Sequence, residues 1–412
     1  MLKRKAKRAL LLVGAGLSAP AKYPLTCEID QILFEGEGCS VKDSTGWNAT
    51  PSFHDFVWQK DGPPNNPEQQ KIIDRISSAL RLISQETNGR EGPLNYEDLY
   101  EILGHVCRYY PRSASEGWES LIGPLKTTVA ELSADGSSTK PIMTSLAGFE
   151  PAVIASAYIR DIVIDILSHH DMGRSNHGHL AFLKKLLEYD PKLDLDIFST
   201  NNDTLIETYL GDNDIAYTDG FEEWELEIKG VSSIQKLYRW NDAVFQEQRR
   251  ITLQKLHGSL NWFYFFTPKE LETSSYLRER VLVKSESGLV HGLRVHEKSS
   301  DETYQFENDQ PVTLLGTDQK YFAYIRRPFL KLWGRLSEAL DKTDKVIIIG
   351  SSLNDRGLCD VLKDWRDTNV GGRLMYVGGD KSAAESLSYN EIVPFDTVQS
   401  LEADRIIEFI DG

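Results

Sequence analysis

The apolar run ALLLVGAG, residues 9–16, constrains the fold more than any other segment of the chain. Its continuous apolar character is typical of a strand buried on both faces of a parallel sheet. It ends in a glycine turn, as the first strand of a nucleotide-binding fold does. An apolar run with a small-residue turn returns near the end of the chain, in KVIIIGSS and RLMYVGGD. We therefore predict an α/β protein with a Rossmann-like, doubly wound parallel sheet.

The same N-terminal stretch permits a second interpretation, namely a secretory signal. Five of the first eight residues are basic, and the apolar run is followed by Ala19-Pro20-Ala21, which resembles a cleavage site. The four cysteines, at positions 27, 39, 107 and 359, include no CxxC pair and indicate neither a disulfide framework nor a zinc ribbon. We therefore favour the strand interpretation and expect a cytoplasmic protein, in which thiols stay reduced.

The composition of the 412 residues limits the classes of partner. No apolar run approaches the ~20 residues that a membrane-spanning helix needs, so we expect no membrane association. The formal net charge is −16, and so acidic a surface repels nucleic-acid phosphates. The basic residues at the N-terminus are expected to form a solvated arm. We therefore expect the chain to reach nucleic acid only through a partner or a complex.

Helical periodicity dominates the segment between the first strand and residue 190. Apolar residues recur near a 3.6-residue period in PEQQKIIDRISSALRLISQE, and FEPAVIASAYIRDIVIDILSHHD is long and apolar enough for a central helix. We predict a helical insertion module over residues 61–189. Residues 1–60 and 190–412 would then form one dinucleotide-binding catalytic domain, which the insertion interrupts.

The second half of the chain alternates strand and helix signals. Strands are predicted in KLDLDIFS, ITLQKL, KVIIIGSS and RLMYVGGD, with RGLCDVLKDW as a crossover helix between the last two. Between about residues 220 and 320 the pattern is mixed, and strands are expected around RVLVKSESGLV and PVTLLGT. FAYIRRPFLKLWGRLSEALDKTD predicts a helix whose apolar side is formed by Leu330, Trp333, Leu336 and Leu340.

Four short turns follow the probable strands of the sheet. They are GAGLS (14–18), STNND (199–203), LHGS (256–259) and GSSLND (350–355). In doubly wound folds, ligands bind at the edge formed by the carboxyl ends of the strands. Each turn alone is also compatible with close backbone packing, a helix cap or a buried core histidine. Their occurrence together, each behind an apolar strand, favours a ligand site.

The small residues in these turns suit the phosphates and sugars of a dinucleotide. Gly14 and Gly16 would let the backbone approach a pyrophosphate, whose charge favours the amides of a following helix N-terminus. Ser18 adds a hydroxyl donor. Further contacts to the dinucleotide and its adenosine ribose are expected from Gly350, Ser351, Ser352 and Asp380.

The polar residues in the middle turns suit bond cleavage. Asn201 offers an amide that can orient a ribose hydroxyl or a water molecule. Asp203 can hold a ribose or the cationic face of a nicotinamide ring. His257 can act as a general base, because its ordinary pKa lies near neutrality.

Together, these turns resemble those of the sirtuin-like NAD-consuming proteins. STNND is similar to the Thr-Thr-Asn-aromatic-Asp turn of that family, LHGSLNW to its His-Gly, and VIIIGSSLND to its late Gly-x-Ser-Leu-x-Asp turn. The resemblance implies that NAD+ is the substrate and that Asn201, His257 and Asp203 form the catalytic set, with Asp203 contacting nicotinamide or ribose. The residues that it implies for dinucleotide binding are Gly14, Ala15, Gly16, Ser18, Gly350 and Ser352. We also expect Thr200, Ser351 and Asp380 to contribute to dinucleotide binding.

The chain departs from sirtuin deacylases in ways that favour hydrolysis of NAD+. It lacks their four-cysteine zinc module, so no metal is predicted. Lys22–Thr26 stands where deacylases carry a glycine and an arginine, and Asn202 stands where they carry an aromatic or aliphatic residue. We therefore expect an NAD+ glycohydrolase that releases nicotinamide and ADP-ribose. The alternatives are an NAD-dependent deacylase or ADP-ribosyltransferase, and a non-catalytic sensor that binds NAD or ADP-ribose.

The zinc-free branch with a helical insertion looks like bacterial antiphage-defence effectors that hydrolyse NAD+. A chain of this length is similar to the subunit that partners a HerA-type hexameric ATPase. This resemblance implies a role in abortive infection, a homo-oligomer and a HerA-type partner.

Overall fold

Two compact units, each with its own apolar core, make up the fold. Unit 1 comprises Met1–Tyr23, His170–Leu314 and Tyr321–Gly412, and unit 2 comprises Pro24–His169 and Leu315–Lys320. The computed structural model describes residues 7–41, 56–58, 67–85, 93–109, 123, 127, 151–172, 177–229, 236–246, 250–266, 280–286, 294–297, 302–306, 311–315, 328–378, 391–394 and 403–412. Helices and strands are numbered below in chain order.

Unit 1 is built on a parallel sheet of six strands. They are β1 (Lys7–Val13), β4 (Leu193–Ser199), β8 (Ile251–Lys255), β13 (Lys345–Ile349), β14 (Arg373–Gly378) and β15 (Glu391–Pro394). Their order across the sheet is β15-β14-β13-β1-β4-β8. Counted along the chain, this is the order 3-2-1-4-5-6 of a doubly wound dinucleotide-binding sheet, taken from the β8 edge. The predicted Rossmann-like α/β fold is confirmed.

The direction in which strands are added reverses at β1, which is therefore central. β4 and β8 lie on one side of β1, and β13 pairs with it on the other, with Leu10 opposite Val346 and Val13 opposite Ile349. In such sheets the ligand crevice lies outside the carboxyl ends of the strands at this switch point. The stretch that also resembled a secretory signal thus forms the central strand, and its glycine turn lies at the switch point.

The strands of this sheet are buried on both faces. Leu10 and Leu12 lie in one apolar cluster with Val346 and Ile348, whereas Leu11 points to the opposite face and is also fully buried. This explains the continuous apolar runs of the sequence. The helices of unit 1 are α5 (Ala181–Tyr189), α6 (Leu205–Asp212), α7 (Phe329–Lys342), α8 (Arg356–Thr368) and α9 (Ala403–Asp411).

Helix α7 packs on the sheet through a face that differs from the predicted one. Phe329, Leu332 and Leu336 are buried in the same cluster as Leu10. Leu330 is 54% exposed, so its place on the predicted apolar side is wrong. The predicted positions 333, 336 and 340 follow the helical period, but the buried stripe begins at 329 rather than 330.

Unit 1 also contains a seven-stranded antiparallel sheet, ordered β5-β7-β10-β9-β12-β11-β6. Its strands are β5 (Phe221–Glu223), β6 (Leu226–Lys229), β7 (Leu237–Trp240), β9 (Trp262–Phe266), β10 (Val281–Ser285), β11 (Arg294–Glu297) and β12 (Glu302–Phe306). Strand β10 lies within the predicted RVLVKSESGLV. The expected strand at PVTLLGT is wrong over described residues 311–315, where Thr313 forms a single bridge with Gly258.

Unit 2 has a mainly helical core. It contains α1 (Thr26–Glu35), α2 (Pro67–Gln85), α3 (Tyr96–Tyr109), most of α4 (Pro151–Met172) and a hairpin of β2 (Cys39–Val41) and β3 (Phe56–Trp58). The sequence placed α1 and the hairpin with the dinucleotide-binding domain, in residues 1–60. They pack in unit 2 because Ile29, Leu33 and Phe56 join the apolar core formed with α2 and α4. The contacts thus place a boundary at 23/24 rather than at 60/61.

Helix α4 runs through this core and carries a buried carboxylate. Asp161 is 0% exposed, lies 2.8 Å from the guanidinium of Arg160, and accepts a hydrogen bond from Phe56 N at 3.4 Å. A buried charge needs such partners, and here they tie β3 to the helix. No helix in the described part of the chain, α4 included, is both long enough and apolar enough to cross a membrane.

Candidate functional site

Backbone hydrogen bonds join the turns that follow the strands of the parallel sheet. In each case, the first residue after a strand donates its N–H to a carbonyl at the end of a neighbouring strand: Gly14 to Ile349 (2.9 Å), Gly350 to Val377 (2.8 Å), Thr200 to Val13 (3.0 Å) and Leu256 to Ser199 (2.8 Å). The four predicted turns therefore start side by side along one edge of the sheet.

The glycines of the first and last turns allow the two turns to pack backbone against backbone. A Cβ at Gly14 would lie 2.6 Å from the Cα of Ser351, and one at Gly16 would lie 2.8 Å from the Cα of Gly350. Gly350 has a φ of +64°, and a Cβ there would lie 2.3 Å from Leu17 N. These glycines are thus required by the contact between the turns. Their predicted contact with a pyrophosphate stays a prediction.

Other residues predicted to contact the dinucleotide differ in exposure. Ala15 and Ser352 are exposed, and Thr200 and Ser351 are half-buried at the same edge of the sheet. The hydroxyl of Ser351 accepts a hydrogen bond from Leu353 N at 3.2 Å, so it also shapes its own turn. Asp380, the predicted partner of the adenosine ribose, lies outside the described residues.

Asn201, Ser18 and Asp203 form a buried hydrogen-bond network beside the glycine turn. The Asn201 Nδ2 donates to Gly14 O and to Ser18 Oγ, both at 3.0 Å. The Ser18 hydroxyl in turn donates to Asp203 Oδ2 at 2.7 Å. The three side chains belong to residues that are 2–8% exposed. The fold thus brings together three of the predicted site residues from turns that are more than 180 residues apart in the chain.

The network fixes which atoms of these side chains can meet a ligand. Both amide hydrogens of Asn201 are donated, and its Oδ1 accepts no hydrogen bond from the described residues. Asp203 Oδ1 accepts from Leu205 N at 3.1 Å, so the carboxylate is anchored at both oxygens. Asn201 therefore presents an acceptor, which can orient a water molecule or a ribose hydroxyl, next to a fixed negative charge.

Lys255 supports the 199–203 turn and was not predicted from the sequence. It is 2% exposed at the end of β8, and its Nζ donates to Asn201 O at 3.1 Å and to Asp203 O. Glu207 Oε1 lies 3.4 Å from the same Nζ and supplies the countercharge that a buried ammonium needs. Burial raises the pKa of Glu207, and the nearby charge of Lys255 opposes that shift.

His257 pairs with a carboxylate that the sequence analysis did not single out. Its Nε2 lies 2.8 Å from Asp355 Oδ2, and both side chains are less than 10% exposed. Asp355 is the N-cap of α8, and its Oδ1 accepts from Leu358 N at 3.0 Å. Asp355 is the last residue of the predicted turn GSSLND and directly precedes the predicted helix RGLCDVLKDW, and nothing local in the sequence indicates a contact with His257.

The backbone around His257 is held by the segment that follows the antiparallel strands. Leu314 N donates to His257 O at 2.7 Å, and Ser259 N donates to Val312 O at 2.9 Å. Gly258 has a φ of +85°, and a Cβ there would lie 1.9 Å from Val312 O. The glycine after His257 is therefore required by a close backbone approach.

The other histidines of the sequence HHDMGRSNHGH are dispersed, each with its own contact. His177 Nε2 lies 2.9 Å from Asp212 Oδ2, and His179 Nε2 donates to Leu17 O at 2.8 Å. The rings of His169 and His170 contact those of Trp58 and Tyr23. Among the described residues, no group of three or more His, Cys, Asp or Glu side chains could hold a metal ion.

Residues 196–392 match the family described as "SIR2-like domain". The matched region includes the turns with Asn201, His257 and Gly350, and it begins after the glycine turn of β1. This part of the chain is therefore similar to a SIR2-like domain. No curated protein matches this chain by sequence.

Several solved structures of Sir2 proteins are similar to this chain at low identity. "Crystal structure of a Sir2 homolog-NAD complex" is 11% identical, covers 99% of this chain and 90% of that chain, and gives a TM-score of 0.38. "Sir2-p53 peptide-NAD+" is 10% identical, with 98% and 93% covered and a TM-score of 0.34. "Structural Basis for the Mechanism and Regulation of Sir2 Enzymes" is 9% identical, with 99% and 94% covered and a TM-score of 0.36.

Proposed function

We propose that this chain is an NAD+ glycohydrolase, which cleaves the bond between nicotinamide and ribose and releases nicotinamide and ADP-ribose. The observation that carries the proposal is the buried network of Asn201, Ser18 and Asp203 beside the glycine turn of β1. A SIR2-like domain implies the use of NAD. The network supplies an acceptor and a fixed negative charge at the edge where a doubly wound sheet binds dinucleotides.

Hydrolysis of NAD+ requires the protein mainly to position the reacting groups and to stabilise the charge that develops on the ribose. The bond from ribose C1′ to the pyridinium nitrogen breaks with its electron pair going to nicotinamide, which leaves neutral. The remaining ribose cation is attacked by a water oxygen at C1′, and the water gives up a proton to His257. Asn201 Oδ1 orients that water or the ribose hydroxyls, and the Asp203 carboxylate stabilises the positive charge. General-base catalysis of this kind contributes about 10²–10⁴-fold.

Hydrolysis is favoured over transfer to an acyl-lysine by two features of the sequence. The chain lacks the four-cysteine module of sirtuin deacylases, and Lys22–Thr26 replaces their glycine and arginine positions. Lys22 has a φ of +68° and caps a short 3-10 turn, so this stretch follows its own backbone course. Deacylation and NAD sensing are therefore tested as competing outcomes.

We also propose a biological setting, which rests on the sequence resemblance alone. The chain would act as an antiphage effector that depletes NAD+, as a homo-oligomer and with a HerA-type hexameric ATPase. Its net charge of −16 supports contact with nucleic acid through that partner rather than directly. Co-purification of the two proteins, followed by measurement of the mass of the complex, tests the assembly.

The decisive experiment incubates the purified full chain with NAD+ and measures nicotinamide and ADP-ribose by chromatography. It is run alone, with a HerA-type ATPase, with the ATPase and DNA, and with an acetyl-lysine peptide. Release of both products without the peptide supports the hydrolase. Release that requires the peptide identifies a deacylase, and tight NAD+ binding with no release in any mixture identifies a sensor.

A further inference from the structure

The Asp355 carboxylate is held at both of its oxygens. One oxygen caps the first turn of α8 by accepting from Leu358 N, and the other lies 2.8 Å from His257 Nε2. The carboxylate cannot rotate without losing one of these contacts. Helix α8 is anchored in the apolar core by Leu358, Leu362 and Trp365. Through Asp355, the imidazole of His257 is therefore held against a fixed helix.

The chemistry of the pair decides which imidazole nitrogen carries the proton. An ionised carboxylate only accepts hydrogen bonds, so the nitrogen that faces it must be the donor. The N-terminus of α8 favours the ionised form of its capping residue, through the helix dipole and the capped amide. The neutral imidazole of His257 is therefore held with its proton on Nε2, and Nδ1 is its basic nitrogen.

We propose that Asp355 is a positioning residue, which fixes the orientation and the Nε2–H tautomer of His257 so that Nδ1 accepts the proton of the attacking water. The role of His257 as the base rests on the proposed function, whereas the effect of Asp355 on the tautomer does not. Asp355 itself need not touch NAD+.

Asp355→Asn separates this role from helix capping. Asparagine caps helices as well as aspartate does, so α8 should keep its N-terminal turn and the protein its thermal stability. Its side-chain NH₂ can donate to Nε2, however, which would favour the opposite tautomer with the proton on Nδ1. Asp355→Ser keeps a capping hydroxyl but does not restore the carboxylate, and it serves as a second variant.

The first test is nitrogen NMR of the imidazole in the full chain labelled with ¹⁵N-histidine. Two-bond proton–nitrogen correlations identify the tautomer, and His257→Gln assigns the signal. We expect Nε2–H for His257 in the wild type, and loss of that tautomer preference in Asp355→Asn. An Nδ1–H tautomer in the wild type, or the same spectrum in the variant, would overturn the proposal.

The second test is the kinetics of nicotinamide release. We expect Asp355→Asn and Asp355→Ser to lower kcat by about 10²–10⁴-fold, with KM and melting temperature nearly unchanged. The control is Asp98→Asn, which alters a carboxylate that accepts from Asn95 N at the start of α3 and should leave kcat unchanged. Wild-type kcat in both Asp355 variants contradicts the proposal. If the wild type releases no nicotinamide, the proposed function fails, and the tautomer still decides the role of Asp355.

Discussion

Ser18 connects the two side chains on which the proposed chemistry depends. Its hydroxyl accepts from Asn201 and donates to Asp203, and the residue is 2% exposed. A hydroxyl can perform both functions at once, which neither a carboxylate nor an ammonium can. The role of Ser18 as a donor to the dinucleotide stays a prediction, and in the structure its hydroxyl donates to Asp203.

We therefore expect Ser18→Ala to lower the kcat of nicotinamide release by about 10–100-fold, because it leaves an Asn201 donor unpaired at a cost of about 1–3 kcal/mol. The matched control is Ser77→Ala in unit 2. Ser77 is as buried as Ser18, and its hydroxyl lies 3.0 Å from Tyr158 Oη. Both variants should lose similar stability in thermal denaturation, but only Ser18→Ala should lose turnover. Equal kcat in the two variants would exclude a role for Ser18 in the site.

Residue identities in the turns were predictable, whereas their partners were not. Asn201, Asp203 and His257 stand out because polar residues directly follow apolar strands. Asp355 lies 98 residues from His257, and Lys255 lies 54 residues from Asn201. No local sequence pattern predicts a contact between residues so far apart in the chain. These residues meet because the order of strands in the sheet places their turns side by side.

At the scale of elements, the 199–203 turn depends on the end of β8. Lys255→Met removes the ammonium that donates to two carbonyls of the turn, and it leaves Glu207 buried without its countercharge. We expect a loss of about 3–5 kcal/mol in the free energy of unfolding, measured by denaturant titration, and a large loss of kcat.

The double variant Lys255→Met/Glu207→Gln distinguishes the two effects. Removing the unpaired charge of Glu207 should restore most of the free energy of unfolding. It should not restore nicotinamide release, because the carbonyls of Asn201 and Asp203 still lack their donor. Recovery of turnover together with stability would show that Lys255 acts on the fold and not on the turn.

A pH effect is expected where α1 meets α3 in unit 2. Burial raises the pKa of Asp30 to about 6, opposed by a hydrogen bond from Tyr96 N and reinforced by the charges of Asp98 and Glu97. The folded state therefore binds this proton more tightly than the unfolded state. The stability contributed by the proton is fully present below about pH 4 and is lost as the pH rises through about 6.

Asp30→Asn should consequently raise the melting temperature above pH 7 and change it little near pH 4, because the amide keeps an acceptor for Tyr96 N without the charge. Glu35→Gln on the same helix, at an exposed carboxylate, is the control and should show no such dependence. A stabilisation by Asp30→Asn that is equal at both pH values would contradict the assignment.

The strands that are buried along their whole length were the easiest to predict from the sequence. β1 and β13 are covered on both faces, so their sequences are continuous apolar runs. The strands of the antiparallel sheet are only three to five residues long, and β6 pairs with β11, more than sixty residues later. Short strands that pair over such separations leave no distinct period in the sequence.

At the scale of the whole molecule, the balance of charge governs which partners can bind. With a formal net charge of −16, the chain alone should not bind a short duplex DNA in fluorescence anisotropy, even at low salt. Addition of a HerA-type ATPase should produce binding that weakens as salt is raised. Salt-dependent binding by the chain alone would instead locate a DNA site on this protein.

The central claim is that the edge of the parallel sheet with Asn201 and His257 cleaves NAD+. The most direct measurement is nicotinamide release by the wild type, Asn201→Ala and His257→Ala, at matched concentration of folded protein. The account predicts turnover in the wild type and none in either variant, with melting curves that show both variants folded. Wild-type turnover in either folded variant would contradict it.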